Sequence, residues 1–380
     1  MAIFISAKIS SPTRFRSLDA LRGIAAFAVV FWHWKNFWKS GLKSAPEFSS
    51  ESQLLFDVFF LFYKSGELAV DLFFSLSGFI FYWLYLKLIE SHNVSTQQFF
   101  ILRFSRLYPL HICTLFVVMA AQIFYREGYG ENFAYPFNDT WHFLLNLSLL
   151  PSIGLEQGYS FNAPVWSVSV EVVLYSLFFI ICWYAKTRLI YLVGLSLVGL
   201  FLIPEVYTPI GRGVASFFLG GCTFYLYKYI LHHNHQLNYT RALTVVSVAL
   251  WLMAIYFSFT GLSVSRIPLI WRFPTIFPVV ILFPITILSL ALLEANRLIV
   301  IRRLTFLGDI SYSTYLWHFP LQLFFMLAIP YFGETTKIFY STGSLLLFFL
   351  LLITISLLSY HCLEMPAQRY IRRVWLAYPR

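Results

Sequence analysis

The chain has 380 residues, of which 59% are hydrophobic and 12% charged, with 42 Phe and 11 Trp. Soluble domains run at roughly 45 to 50% apolar and about 25% charged residues, so a soluble single-domain fold is excluded and the lipid bilayer becomes the solvent. The formal net charge of +10 invites an anionic partner such as nucleic acid, but the distribution of Lys and Arg accounts for it without one.

A helix needs about 20 apolar residues to cross a hydrocarbon core of about 30 Å. Taken in chain order, ten predicted spans meet or approach that length: 21–38, 70–88, 107–125, 164–184, 189–203, 214–231, 243–259, 274–293, 311–331 and 345–363. The apolar stretches 54–63 and 141–150 are too short to span and suit the interface. The fold class is therefore an all-α polytopic membrane protein of about ten transmembrane helices. An even number places both termini on one side. With the termini inside, the inner segments carry 18 of the 27 Lys and Arg, including Lys8, Lys186 and Arg380, so both termini are expected to be cytoplasmic. The first apolar run lacks a small-residue cleavage site and reads as a retained helix. No repeat or long linker divides the chain. One membrane domain is expected over 1–380, with a core of about 17–366 and no soluble appendage. Cys113, Cys182, Cys222 and Cys362 lie in separate apolar runs and read as small buried hydrophobes. His232, His233 and His235 have no carboxylate or thiol nearby in sequence, and no metal site is expected there.

The informative residues are the polar ones inside the spans. In the first span His33 follows Arg22 by eleven residues, a spacing that returns to nearly the same helix face about 16 Å further along the axis. Asp19 joins that stripe at its inner end. In the second span Glu67, Asp71 and Ser75 recur every fourth residue, with Gly78 following; in the fourth, Ser167 and Glu171 share a face; in the ninth, Ser311, Tyr315 and His318 do so. An ionisable group costs about 2.5 to 3.5 kcal/mol at mid-bilayer on insertion scales, and a stripe of period 3.6 on an apolar helix faces the bundle interior or a wet cavity. Span directions put His33, Asp71 and Glu171 in the outer part of the membrane, where the three are expected to meet. His318 is expected nearer the middle and the cytoplasmic half, either functional or as interhelical glue bonded to Tyr315 and Ser311. Arg103 and Arg106, three apart at the cytoplasmic start of the third span, share a face and can aim planar donor forks at phosphate; the bland alternative is a pair of positive-inside anchors.

Together, Ser17-Leu-Asp19-Ala-Leu-Arg22-Gly23, Leu68-Ala-Val-Asp71-Leu-Phe-Phe-Ser-Leu-Ser-Gly78-Phe, Arg103-Phe-Ser-Arg106, Trp166-Ser-Val-Ser-Val-Glu171, Ser311-Tyr-Ser-Thr-Tyr315-Leu-Trp-His318 and Glu364-Met-Pro366 resemble, in order, the bacterial membrane O-acyltransferases called acyltransferase family 3. The glycine that usually precedes the second-span Val-Asp is displaced here, in Gly66-Glu67-Leu68-Ala69-Val70-Asp71. The resemblance implies transfer of an acyl group, commonly acetyl from acetyl-CoA, to a hydroxyl of a cell-surface or lipid-linked glycan, in the bacterial inner membrane. It implies His33 as the catalytic histidine, Arg22 as its motif partner and Arg103 with Arg106 at the acyl-CoA donor. On the chemistry of the residues, Asp71 or Glu171 would orient His33, and His318 is placed with the donor-binding group. A secondary transporter or exporter with intramembrane polar residues is the alternative, although no inverted repeat is visible.

Overall fold

The computed structural model describes residues 14–40, 43–44, 48–185, 188–205, 208–260, 276–299, 301–332 and 335–376. Lys8, Lys186 and Arg380 of the basic count, and Pro274 at the start of the eighth predicted span, lie outside these residues. The described residues are mostly helical. In order the helices are α1 (Arg16–His33), α2 (Phe56–Ser65), α3 (Ala69–Glu90), α4 (Thr96–Tyr129), α5 (Thr140–Leu147), α6 (Trp166–Tyr184), α7 (Leu189–Glu205), α8 (Thr208–Leu231), α9 (Gln236–Thr260), α10 (Phe283–Ala295), α11 (Thr305–Asp309), α12 (Ser311–Ala328), α13 (Thr342–Ser359) and α14 (Met365–Leu376). Among the described residues the only ladder is two residues long, β1 (Lys39–Ser40) with β2 (Lys43–Ser44), antiparallel.

Among the described residues, seven helical stretches are long and apolar enough to cross a bilayer: Phe56–Glu90, Thr96–Tyr129, Ala163–Tyr184, Pro209–Leu231, Gln236–Phe259, Pro278–Ala295 and Thr342–Leu376. Helices α1, α7 and α12 occupy the other three expected spans and fall short for visible reasons. In α1, Arg16, Asp19 and Arg22 crowd the first two turns; α7 is short, with its apolar part at Leu189–Ile203; and the first half of α12 is polar from Ser311 to His318. The stretch predicted to lie apart at 54–63 instead continues, as α2 and a 3₁₀ turn at Gly66–Leu68, into α3.

Backbones approach closely where glycine removes a side chain. A Cβ on Gly78 of α3 would stand 1.9 Å from the Phe217 carbonyl oxygen of α8, and one on Gly220 of α8 would stand 2.1 Å from the Ser75 carbonyl oxygen of α3. The two helices therefore lock together at their middles, as small residues allow in membranes. The lipid-facing α9 is tied to α10 by polar side chains: Trp251 Nε1 donates to Thr286 Oγ1 at 2.9 Å, Ser289 Oγ to Thr244 Oγ1 at 3.1 Å and Asn296 Nδ2 to Thr240 Oγ1 at 3.1 Å.

The start of α1 is fixed from another helix. Its N-terminal residues supply no side-chain cap of their own; Glu294 of α10 accepts the Arg16 and Ser17 amides at 2.8 Å each, and the Ser17 hydroxyl at 2.5 Å. A carboxylate at a helix N-terminus satisfies donors the helix cannot and favours its dipole. Two buried apolar clusters result. One joins α1, α3, α6, α8 and α10; the other gathers Trp34, Phe37, Phe339 and Phe348 around α4, α12 and α13.

Candidate active site

The site begins with Arg22. Gly23 lets α1 press on α11, since a Cβ there would lie 2.4 Å from the Leu307 Cβ, and Gly308 answers from the other side, where a Cβ would lie 2.3 Å from the Asp19 carbonyl oxygen. This close approach brings the Arg22 guanidinium to the α11–α12 junction, where Nη2 donates to the Gly308 carbonyl at 2.7 Å and Nε to Ser311 Oγ at 3.1 Å, with Asp19 3.2 Å away. Arg14 ties Asp19 to Asp309 below it, the latter at 2.6 Å.

Arg22 lines a cavity of about 530 Å³ enclosed by α1, α3, α4, α6, α12 and α14. Arg14, Arg103, Arg106 and Arg372 line it too, with Asp19, Asp309, Glu171 and Glu364 as its acidic members. Arg103 is held by the Tyr85 hydroxyl at 2.6 Å and stacked 5.1 Å from the Phe81 and Tyr85 ring centres, while its buried Nε has no hydrogen-bond partner. Arg106 makes no hydrogen bond among the described residues, so its donor fork is available to a ligand. Glu171 accepts from Ser77 Oγ at 3.2 Å and from the Tyr175 hydroxyl at 2.7 Å, and Glu364 accepts from Ser313.

The cavity ends at Ser167 and Tyr315, whose hydroxyls lie 2.9 Å apart, the tyrosine also donating to the Pro164 carbonyl at 2.8 Å. Beyond Tyr315 stand two imidazoles. The His318 ring centre is 5.8 Å from that of Tyr315 and 4.9 Å from that of His33. Each histidine sets its Nδ1 against a backbone carbonyl of its own helix, His33 with Val29 at 3.0 Å and His318 with Tyr315 at 2.6 Å. A carbonyl only accepts, so each Nδ1 carries the proton and each Nε2 presents a lone pair in the neutral ring. Neither Nε2 has a hydrogen-bond partner among the described residues, and that of His318 is fully buried.

The expected meeting of His33 with Asp71 and Glu171 is replaced by other neighbours. Asp71, fully buried, forms an ion pair with Arg212 of α8, accepting from Nη2 at 2.6 Å and Nε at 3.1 Å. Glu171 faces the arginine-lined cavity. His318, expected apart from His33, packs against it and not among the donor-side arginines. The physical reason is rotational: α12 brings His318 and Gln322 to the His33 end of α1, whereas Asp71 of α3 turns to Arg212 of α8. Gln322, one turn beyond His318, also belongs here, since its Nε2 donates to the His33 carbonyl at 2.8 Å and its Oε1 lies 3.4 Å from Asn36 Nδ2. Extending the Ser311, Tyr315, His318 stripe by one turn would have found it. Arg212, flanked by Gly211 and Gly213, carried a weaker signal as an intramembrane cation with no partner on its own helix.

The family of the acyltransferase domain matches residues 15–363 of the chain. Peptidoglycan O-acetyltransferase OatA of Listeria monocytogenes serovar 1/2a is 23% identical over 335 residues, covering 80% of this chain and 49% of that protein. Acyltransferase MdmB of Streptomyces mycarofaciens is 32% identical over 183 residues, 46% of this chain and 40% of that one. Protein 2 in the picA locus of Rhizobium radiobacter is 37% identical over 112 residues, covering 30% and 47% respectively. The chain thus matches about half the length, or less, of each of these relatives. No solved structure matches it. With that match spanning Arg22, the cavity arginines and both histidines, the chain belongs to acyltransferase family 3 and is an integral membrane protein.

Proposed function

We propose that the protein moves an acyl group, acetyl in the first instance, from acyl-CoA on the cytoplasmic side of the bacterial inner membrane to a hydroxyl of a cell-surface or lipid-linked glycan. The observation that carries this reading is the continuity from a cavity lined by Arg22, Arg103 and Arg106, through Tyr315, to the His318 and His33 rings. Arginine forks suit phosphate oxygens, and the long pantetheine arm of coenzyme A would reach from them toward the histidines.

In the proposed step His33 Nε2 takes the proton of the acceptor hydroxyl as its oxygen attacks the thioester carbonyl carbon. The carbon–sulfur bond then breaks and the leaving thiolate recovers that proton. Imidazole suits this work because its unperturbed pKa lies near the operating pH. The Val29 carbonyl fixes the tautomer in the way an orienting group does in hydrolytic triads. His318 shares the acceptor hydroxyl or relays its proton, and Glu171 and Asp71 act through the groups they hold: the cavity wall for one, Arg212 for the other. The family match favours this enzyme over the exporter alternative.

The test is transfer of labelled acetyl from acetyl-CoA to the host's surface glycan by purified protein. His33→Ala should lower turnover by about 10² to 10⁴ while leaving coenzyme A binding intact, because the arginines are untouched. Equal turnover by both proteins removes His33 from the mechanism.

A further inference from the structure

Beyond Met365 the wall of the cavity contributed by α14 has no part in the family signatures, which stop at Glu364-Met-Pro366. Its contribution is built by a π turn at Tyr360–Glu364, after which Met365, Gln368 and Arg372 follow at spacings of three and four and all line the cavity. The other arginines of the helix, Arg369 and Arg373, point away and are exposed. Arg372 is fastened to α4 on either side of Arg103: Nε donates to Ser105 Oγ at 3.1 Å and Nη2 to the Leu102 carbonyl at 3.4 Å. One nitrogen of its fork, Nη1, is left over. Arg372 thus lines the same cavity as Arg22, Arg103 and Arg106.

Arg103, Arg106 and Arg372 form no ion pair among the described residues, and unpaired cations lining one cavity repel one another unless an anion joins them. A helix end fixed to α4 through an arginine that lines a cavity already holding the free Arg106 is placed for a polyanion and not for an internal carboxylate: neither Glu171 nor Glu364 bonds it. We propose that Arg372 is a third phosphate-binding residue, closing a clamp with Arg103 and Arg106 around the phosphates at the nucleotide end of the donor. The inference rests on the acyl-CoA reading above and adds a binding residue to it.

The experiment compares acetyl-CoA with acetyl-pantetheine, which has the thioester but neither nucleotide nor phosphate, in wild type, Arg372→Ala and the exposed control Arg369→Ala. Loss of a charge-assisted contact predicts a KM for acetyl-CoA raised about tenfold to a hundredfold by Arg372→Ala, with kcat near wild type and the acetyl-pantetheine reaction unchanged. Arg372→Lys should recover part of the affinity, and Arg369→Ala none of the defect. An unchanged KM overturns the proposal, and so does an equal loss with both donors, which would make Arg372 only a fastener of α14. If wild type binds no coenzyme A by calorimetry, the donor reading itself fails and the clamp with it.

Discussion

Asp71 shows how far a residue's chemistry can be read before its neighbours are known. Its cost in lipid marked it as purposeful, yet the purpose seen is the pairing with Arg212, fully buried on the carboxylate side and 15% exposed on the other. Removing one partner of a buried pair leaves an uncompensated charge and costs about 3 to 5 kcal/mol, whereas replacing both is often neutral. Asp71→Asn is accordingly expected to lower the unfolding temperature in detergent sharply. A joint Asp71→Leu, Arg212→Met variant should recover most of the stability and the transfer activity. A stable but inactive double variant would instead show that the carboxylate works on the reaction, as its expected place in the outer part of the bilayer first suggested. His33 and His318 were legible singly, from their place in polar stripes. That they would face each other was not, because one helix's sequence says which face is polar and nothing about which neighbour that face meets.

At the level of elements, the contact of α1 with α11 is the joint on which Arg22 depends. Gly23→Leu would drive side-chain atoms into Leu307 and the Gly308 backbone, moving α11 away and releasing the Arg22 bonds to Gly308 and Ser311. The expected result is weaker coenzyme A binding with a lowered melting temperature, while Gly128→Leu, whose Cβ would meet nothing within 4 Å, should alter neither. The loop between α4 and α6 has its own latch. Asp139 caps α5, accepting the His142 amide at 3.0 Å and the His142 Nδ1 at 2.7 Å. Those donors, the amide foremost, hold the Asp139 carboxyl below the usual carboxylate range. A depressed carboxylate contributes stability above its unfolded value, near pH 4, and loses it as the pH falls through its folded one. Because Asp139 is exposed, the expected change is local. Proteolysis near residues 139–157 should rise below about pH 4, and Asp139→Asn should abolish that step. The sequence identified both short apolar stretches, but not that one of them would join α3. Only the 3₁₀ turn at Gly66–Leu68, with Gly66 pressed against the Ala28 carbonyl, makes the two continuous.

Across the whole molecule, the membrane character and the helix positions were written in composition and hydropathy, since lipid admits few ways to satisfy a backbone. The helices whose apolarity falls short are informative in the same way: α1 and α12 gave up hydrophobicity to carry the arginine and the two histidines. The part that could not be read in advance is rotational, and α14 is the example. A π turn inserts one residue into a helix and so resets the direction of everything after it. Were the ladder from α13 to run on without that extra residue, each later side chain would swing by about 100° about the axis. Gln368 and Arg372 would then take the exposed directions that Arg369 and Arg373 have now, and Ala367 and Ile371 would turn to the chamber. The widened turn at Tyr360–Glu364 thus works as a phase shifter: it decides which half of a basic, aromatic tail belongs to the enzyme's interior and which half to the surrounding lipid.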